Sequence, residues 1–373
     1  MKSLYIHIPF CKQKCLYCDF NSYSGKEDFI EKYIRALKQE LQRYRCSLLN
    51  NNLEFTENKV HYHTVYFGGG TPSIIPAKYI KEIMEMITCN GEITLELNPG
   101  TIDEEKLKIY KEAGINRLSI GLQATQDSIL KTIGRIHTWE EFDKAFKMAR
   151  KAGFDNINVD LMFGLPNQTL KDVEESLQYV IRINPEHISC YSLILHNNIF
   201  ENLPSEEEER QMYYFIMQKL KEAGYEQYEI SNFAKLGKES KHNLCYWNQN
   251  EYIGVGAGAS SYVDGKRYTN ELNIERYIEK INANEQWYET EEIQDAESKI
   301  REYMILRLRL LEGINVEETY EKFDVDVCEK FEKEINKMVK KGLLEIAYDK
   351  VVKHVRLTPK GLDFANIVWE EFI

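Results

Sequence analysis

Eight consecutive residues, Cys11-Lys12-Gln13-Lys14-Cys15-Leu16-Tyr17-Cys18, carry three cysteines in a Cys-x3-Cys-x2-Cys loop directly after the strand-like run Ser3-Leu4-Tyr5-Ile6-His7-Ile8. Cysteine thiolates are the usual ligands of iron-sulfur clusters. Three on one short loop can hold three irons of a cubane and leave the fourth iron open for chemistry. The alternative is a structural zinc loop completed by His7 or a distant ligand. Structural zinc, however, is closed by four ligands, typically as two separated pairs, so the spacing favours a cluster.

The other residues with chemical potential fall where strands end. Gly68-Gly69-Gly70-Thr71-Pro72 follows Thr64-Val65-Tyr66-Phe67; Glu96 lies in Ile93–Leu97 before Asn98-Pro99; Gln123 follows Arg117–Gly121; Asp160 lies in Ile157–Leu161. Consecutive glycines let backbone amides approach a ligand with no Cβ in the way, which suits a carboxylate or an amino acid moiety. Taken singly, the glycine run also reads as a tight turn. Glu96 and Asp160 also read as strand-end acids bonded to loop amides.

The elements that position these residues repeat along the chain. Lys111-Glu112-Ala113-Gly114-Ile115, Arg150-Lys151-Ala152-Gly153-Phe154 and Lys221-Glu222-Ala223-Gly224-Tyr225 are one phrase: a basic last helical turn, a glycine stop, then an apolar residue entering a strand. Short β-branched runs alternate with these helices, the last being His187–Ser192. The helix after it has Ser205 as N-cap, Glu208 as capping-box partner, and Met212, Phe215, Ile216 and Leu220 as its apolar face. Strand-helix-strand units at this period imply parallel pairing with right-handed crossovers. The fold class expected is α/β, a partial (β/α)6 barrel, in which all strand C-termini face one mouth.

Composition narrows the partners. The chain has 373 residues, 43% hydrophobic and 29% charged, and 48 basic against 60 acidic side chains give a formal charge of −12. That balance argues against a nucleic-acid partner, because phosphate binding draws on lysine and arginine. No window is apolar enough for an integral membrane segment, and Met1-Lys2-Ser3-Leu4 runs straight into a strand without a signal peptide, so a cytoplasmic protein is expected. In a reducing compartment Cys46, Cys89, Cys190, Cys245 and Cys328 read as small buried groups outside any disulfide.

Residues 1–235 are expected to form the barrel, 236–290 a connecting segment, and 291–373 a compact C-terminal α+β unit. The acidic stretch Gln286 to Glu297 reads as a linker or surface helix. Ile300 to Leu311 and Val327 to Lys341 read as helices stopped by Gly313 and Gly342. Leu343–Tyr348 and Val351–Leu357 flank Asp349-Lys350 as a hairpin, and a last helix runs from Pro359 to Phe372. Helices followed by a β-ribbon resemble a winged helix, but residues 291–373 hold 14 basic against 19 acidic side chains, a balance of −5. A lid or docking role fits that charge better than DNA binding.

Tyr5-Ile6-His7-Ile8-Pro9-Phe10-Cys11, the cysteine loop and Gly68–Pro72 resemble radical S-adenosylmethionine proteins of the oxygen-independent coproporphyrinogen III oxidase group. Arg117–Gln123, Ile133-Gly134-Arg135 and Asn158–Thr169 extend the likeness over nearly the whole chain. The resemblance implies that Cys11, Cys15 and Cys18 ligate a 4Fe-4S cluster whose free iron chelates S-adenosylmethionine. It also implies that Tyr5, Tyr17, Gly69, Gly70, Thr71, Glu96, Gln123, Arg135, Asp160 and Ile194 line the S-adenosylmethionine sites, with Gly254–Ala259 as a further turn at the same site. A low-potential cluster can then donate one electron to the sulfonium, break a C–S bond and release a 5'-deoxyadenosyl radical.

Two lineages of that group part at Phe20. The oxidases resemble Cys-x3-Cys-x2-Cys-x-Cys and carry an N-terminal extension; here Phe20 takes the place of the last cysteine, and the chain starts ten residues before Cys11. Cys18-Asp19-Phe20-Asn21-Ser22 instead looks like the heme chaperones of the group (HemW type), whose His-Asn-x-x-Tyr-Trp motif is matched by His242-Asn243-Leu244-Cys245-Tyr246-Trp247. In that reading His242 offers an axial imidazole and the aromatic residues offer flat walls for heme. In the alternative, His242 bonds a loop while Tyr246 and Trp247 pack under the barrel rim; Cys245 is a second ligand or a buried thiol. The expected function is a heme carrier that serves apo-hemoproteins such as respiratory cytochromes, with a cytosolic electron donor as a further partner. The competing functions are coproporphyrinogen III oxidase, making protoporphyrinogen IX in porphyrin metabolism, and a radical enzyme with a substrate other than a tetrapyrrole.

Overall fold

The computed structural model describes residues 2–49, 55–56, 59–194 and 199–373. Six strands, β1 (Ser3–Ile8), β2 (Val65–Gly69), β3 (Ile93–Leu97), β4 (Arg117–Gln123), β5 (Ile157–Phe163) and β6 (His187–Ser192), lie side by side in chain order, every pair parallel. Parallel neighbours need crossovers, and each crossover carries helix; Trp139–Lys151 and Leu170–Ile183 are two of them. Leu4, Ile6, Phe67, Leu95, Leu118, Ile120 and Val159 are fully buried in the main core, as expected for parallel strands covered on both faces.

The repeated glycine phrase makes the same lock three times. Gly114, Gly153 and Gly224 have φ of 93°, 86° and 84°. The next residue closes each lock: Ile115 N donates to Tyr110 O, Phe154 N to Ala149 O and Tyr225 N to Leu220 O, the Schellman pattern. Ile115, Phe154 and Tyr225 are buried, so each of these three helices ends by delivering an apolar residue to the core. Ser205 and Glu208 form the expected capping box, with Met212, Ile216 and Leu220 inward.

The sheet continues past both ends of the parallel set. Beyond β6 stand β7 (Glu226–Glu229) and β8 (Asn232–Ala234), both antiparallel to their neighbours. Beyond β1 stands β9 (Tyr252–Val255), parallel to it with Ser3 opposite Tyr252 and Ile6 opposite Val255. Then follow β10 (Ser260–Val263), β11 (Lys266–Asn270) and β12 (Tyr288–Ile293). Residues 236–290 thus build one end of a twelve-stranded sheet as well as connecting. The acidic stretch from Gln286, read as a linker or surface helix, is largely β12. Tyr288 and Thr290 alternate with glutamates, a period of two masked by charge that also blunts an edge strand.

One carboxylate fastens this extension to the barrel. Glu40, fully buried on the helix Ile30–Leu49, accepts bonds from Gly256 N (2.8 Å), Asn270 Nδ2 (2.8 Å), Trp287 Nε1 (2.8 Å) and the Tyr277 hydroxyl. Burial pushes its pKa up, and the four donors pull it back.

The C-terminal unit has its own core of Ile300, Met304, Leu308, Phe331, Ile335, Met338, Val355, Val368 and Phe372. Its ribbon has β13 (Ile314–Asn315), β14 (Leu344–Asp349) and β15 (Val352–Leu357), with β15 in the middle. The helix expected over Val327 to Lys341 breaks at Phe331, whose ring leaves the helical path to pack edge-on against Phe372 at 5.8 Å. The last helix breaks likewise at Phe364. Arg309 docks the unit on the barrel. Its guanidinium lies 4.4 Å from the Trp247 ring and 5.6 Å from the Trp369 ring, and it donates to buried Glu229 at 3.3 Å.

Replacing Glu40 by alanine removes the shared acceptor of four donors, three of them on buried backbone or side chains. Glu40→Ala is expected to lower the unfolding free energy by about 3 kcal/mol or more. A urea denaturation series measures this, and a loss below about 1 kcal/mol contradicts the fastening role.

Candidate functional site

The strand ends meet at one mouth. A cavity of about 350 Å³ is lined by Cys11, Cys15, Cys18, Tyr17, Gly69, Gly70, Thr71, Glu96, Gln123, Arg135 and Asp160. All eleven were expected there from the sequence.

The cysteine loop is held from three sides. Buried His7 on β1 faces the Tyr5 hydroxyl through Nδ1 (3.0 Å) and Asn21 O through Nε2 (2.8 Å), and burial keeps its imidazole neutral by lowering the pKa. Thr71 Oγ1 donates to Cys11 Sγ at 3.8 Å and accepts from Asn98 Nδ2 at 2.8 Å. Arg135 bonds Cys15 Sγ through Nη1 at 3.6 Å and Asn98 Oδ1 through Nη2 at 2.7 Å. Gly70 has to be glycine, because a Cβ there would lie 2.7 Å from Phe10 O and 3.0 Å from Cys11 Sγ.

The donor set fits a cluster. Three soft thiols share one wall, and Thr71 and Arg135 supply the hydrogen bonds to sulfur that tune such centres. Among the described residues no three His, Cys, Asp or Glu side chains could hold a single metal ion. Burial pushes the Cys11 thiol up in pKa, so ligand binding there has to displace a proton.

The cavity floor is charged. Glu96 accepts from the Tyr66 hydroxyl at 2.8 Å, and Asp160 accepts from Asn158 Nδ2 at 2.7 Å and Ser119 Oγ at 3.4 Å. Burial, with Asp160 nearby, raises Glu96 to about 7; burial also raises Asp160. Arg117 lines the same floor, 2% exposed, and its Nε has no hydrogen-bond partner. Carboxylates and guanidinium groups side by side, with backbone amides at the glycine run, suit a zwitterionic amino acid moiety. Gln123 sits at φ 71°, where β4 and β5 lose register between Asp160 and Leu161, and accepts from the Tyr191 hydroxyl at 3.2 Å. A non-glycine residue held in that region signals a constrained, aimed side chain.

Three expected residues stand elsewhere. Tyr5 lies behind the lining, stacked on Tyr66 with centroids 6.2 Å apart. Ile194 is 70% exposed and outside the lining. His242 is 1% exposed on the short helix Lys241–Trp247, with Nδ1 2.8 Å from Thr64 Oγ1 and Nε2 2.8 Å from the Tyr246 hydroxyl. Both nitrogens are occupied, so the expected axial imidazole has no free atom to present. Burial, with Arg117 nearby, holds its pKa at about 3. Cys245 is buried on the same helix, its thiol directed at Glu251 O.

The reading from residues alone missed Asn98, Arg117, Asn158, Tyr191, Asn232 and Asn243, which also belong to the lining. Asn243 had a signal, since it belongs to the His-Asn-x-x-Tyr-Trp segment. Phe20 lines the rim, 68% exposed. A second cavity of about 350 Å³ shares Tyr191 and Ser231 with the first and reaches the C-terminal unit at Leu362, Asp363 and Phe364. Phe163 and Tyr213, stacked at 5.7 Å and 18°, form part of its wall.

Residues 5–180 match the Radical SAM superfamily model and residues 294–364 the HemN C-terminal domain model. The chain is 38% identical to the heme chaperone HemW of Bacillus subtilis, over 100% of this chain and 99% of the relative. It is 35% identical to the heme chaperone HemW of Escherichia coli, over 83% of each. The solved structure of the coproporphyrinogen III oxidase HemN of Escherichia coli superposes with a TM-score of 0.85 at 22% identity, covering 99% of this chain and 89% of that one, and shares the fold. Radical SAM membership implies a 4Fe-4S cluster and S-adenosylmethionine. With its cysteine loop at the barrel mouth, its C-terminal domain and its similarity from end to end to the Bacillus subtilis chaperone, the chain belongs to the HemW family of the radical SAM superfamily.

Proposed function

We propose that this chain is a heme chaperone: it binds heme as cargo and passes it to apo-hemoproteins, respiratory cytochromes among them. The observation that carries the reading is the similarity over both full lengths to the heme chaperone of Bacillus subtilis. Phe20 supports it, an exposed aromatic at the rim where the oxidases resemble a cysteine. Cys11, Cys15 and Cys18 hold the cluster. Tyr17, Gly69, Gly70, Thr71, Glu96, Gln123, Arg135 and Asp160 take S-adenosylmethionine, with Tyr5 behind them and Ile194 at the outer edge. The cluster and S-adenosylmethionine, when bound, supply one-electron chemistry at the sulfonium. The chain's part is to bury Cys11, hold Cys15 under the Arg135 guanidinium and fix the carboxylates of the floor.

The second cavity is the part of the mouth best suited to a planar macrocycle. The Phe163–Tyr213 stack offers a flat face, and Phe364 brings the C-terminal unit to the same space. No helix among the described residues is long and apolar enough to cross a membrane, so delivery to a membrane-bound cytochrome runs through protein contact.

Anaerobic reconstitution tests the cluster: wild-type protein is expected to hold iron and labile sulfide, and Cys15→Ser to lose most of both. Zinc alone in the wild type would overturn the assignment. A heme titration followed at the Soret band tests the cargo. Saturable binding is expected in the wild type, about tenfold weaker in Phe364→Asp. Incubation with coproporphyrinogen III, reductant and S-adenosylmethionine should give no vinyl-bearing product; its appearance would move the chain to the oxidase reading.

A further inference from the structure

The helix Lys241–Trp247 touches the cofactor cavity without presenting a ligand to it. The His242 ring packs on the Tyr66 ring with centroids 5.1 Å apart and planes 31° apart, and the Tyr5 ring stacks on Tyr66 at 6.2 Å and 28°. Tyr66 thus contacts two rings, and its hydroxyl reaches Glu96 at 2.8 Å. His242 is itself pinned at both nitrogens, by Thr64 on one side and Tyr246 on the other. Neutral and enclosed, the imidazole serves as a flat wedge.

We propose that His242 is a positioning residue for the cofactor cavity: it holds Tyr66 so that the phenol keeps the Glu96 carboxylate fixed where S-adenosylmethionine is taken. The inference rests on the reading that this cavity takes S-adenosylmethionine. It removes His242 from heme ligation and gives the first residue of the His-Asn-x-x-Tyr-Trp segment a task at the other ligand. Asn243, which lines the cavity directly, is its neighbour in sequence.

Glu96 is faced by Tyr66 and the Gly69 amide from β2, Tyr5 from β1, Arg117 from β4, Asp160 from β5, Tyr191 from β6 and Tyr246 from the helix. The Tyr66 hydroxyl favours the ionised carboxylate. Losing that bond therefore moves the protonation midpoint of Glu96 upward from about 7.

The test is S-adenosylmethionine binding to the anaerobically reconstituted full chain as a function of pH, with iron and labile sulfide measured on every sample. Tyr66→Phe and His242→Ala are each expected to bind about tenfold more weakly at pH 7.5, with a pH midpoint shifted upward, and the double variant no worse than Tyr66→Phe alone. His242→Phe restores the flat face but cannot ligate iron; it is expected to recover affinity to within about threefold of wild type. The Soret spectrum of the heme complex should be the same in His242→Phe and wild type. If His242→Ala does not fold, Tyr66→Phe and His242→Phe decide. Unchanged affinity and midpoint in Tyr66→Phe, or a lost Soret band with intact S-adenosylmethionine binding in His242→Phe, would overturn the proposal. Failure of the wild type to bind S-adenosylmethionine would instead overturn the cavity reading beneath it.

Discussion

Strand β1 is paired on both edges, and the site depends on that. Its last residues lead directly into the cysteine loop, so any play in β1 would become play in the thiols. Val65–Gly69 on one side and Tyr252–Val255 on the other leave it no free edge. His7 then converts strand position into loop position, reaching Asn21 O just past the third cysteine. The glycine run, Glu96, Gln123 and Asp160 come to the same mouth because the strands they end or interrupt are parallel and in order.

The parallel part of this architecture was legible in the sequence because its signals are local. A basic turn, a glycine and an apolar residue specify a Schellman stop wherever they occur, and the β-branched run that follows has one place to go. The sheet extension was less legible. β9 to β12 are short, and β12 hides a two-residue period under glutamates. What ties the region to the barrel is Glu40, more than two hundred residues away, and no local pattern announces such a contact. Phe331 and Phe364 are similar cases. Each sits in a helical pattern, and each helix breaks where its phenylalanine joins the second core, Phe331 buried within it and Phe364 half-buried against it.

The site shows the same division. The cysteine loop, the glycine run, Glu96, Gln123 and Asp160 were found, since β-strand ends are countable from sequence, whereas Asn98, Arg117, Asn158 and Tyr191, on the same strands or just after them, were not. His242 stood between two readings because its neighbours, Tyr246 and Trp247, suggest a porphyrin site when seen in one dimension. In three dimensions Tyr246 occupies the imidazole and Trp247 stacks on Arg309. The segment therefore joins three things that the sequence keeps apart: the cavity floor, the barrel underside and the C-terminal unit.

The placement of β9 beside β1 also orders events during synthesis. Strand β1 leaves the ribosome well before residues 252–255 and cannot complete its hydrogen bonds until they have emerged, so the nascent barrel carries an open seam next to its thiols until then. Metal loading before that seam closes would expose the loop to solvent and oxidant. The geometry therefore favours a polypeptide released whole and apo, with its inorganic centre installed afterwards.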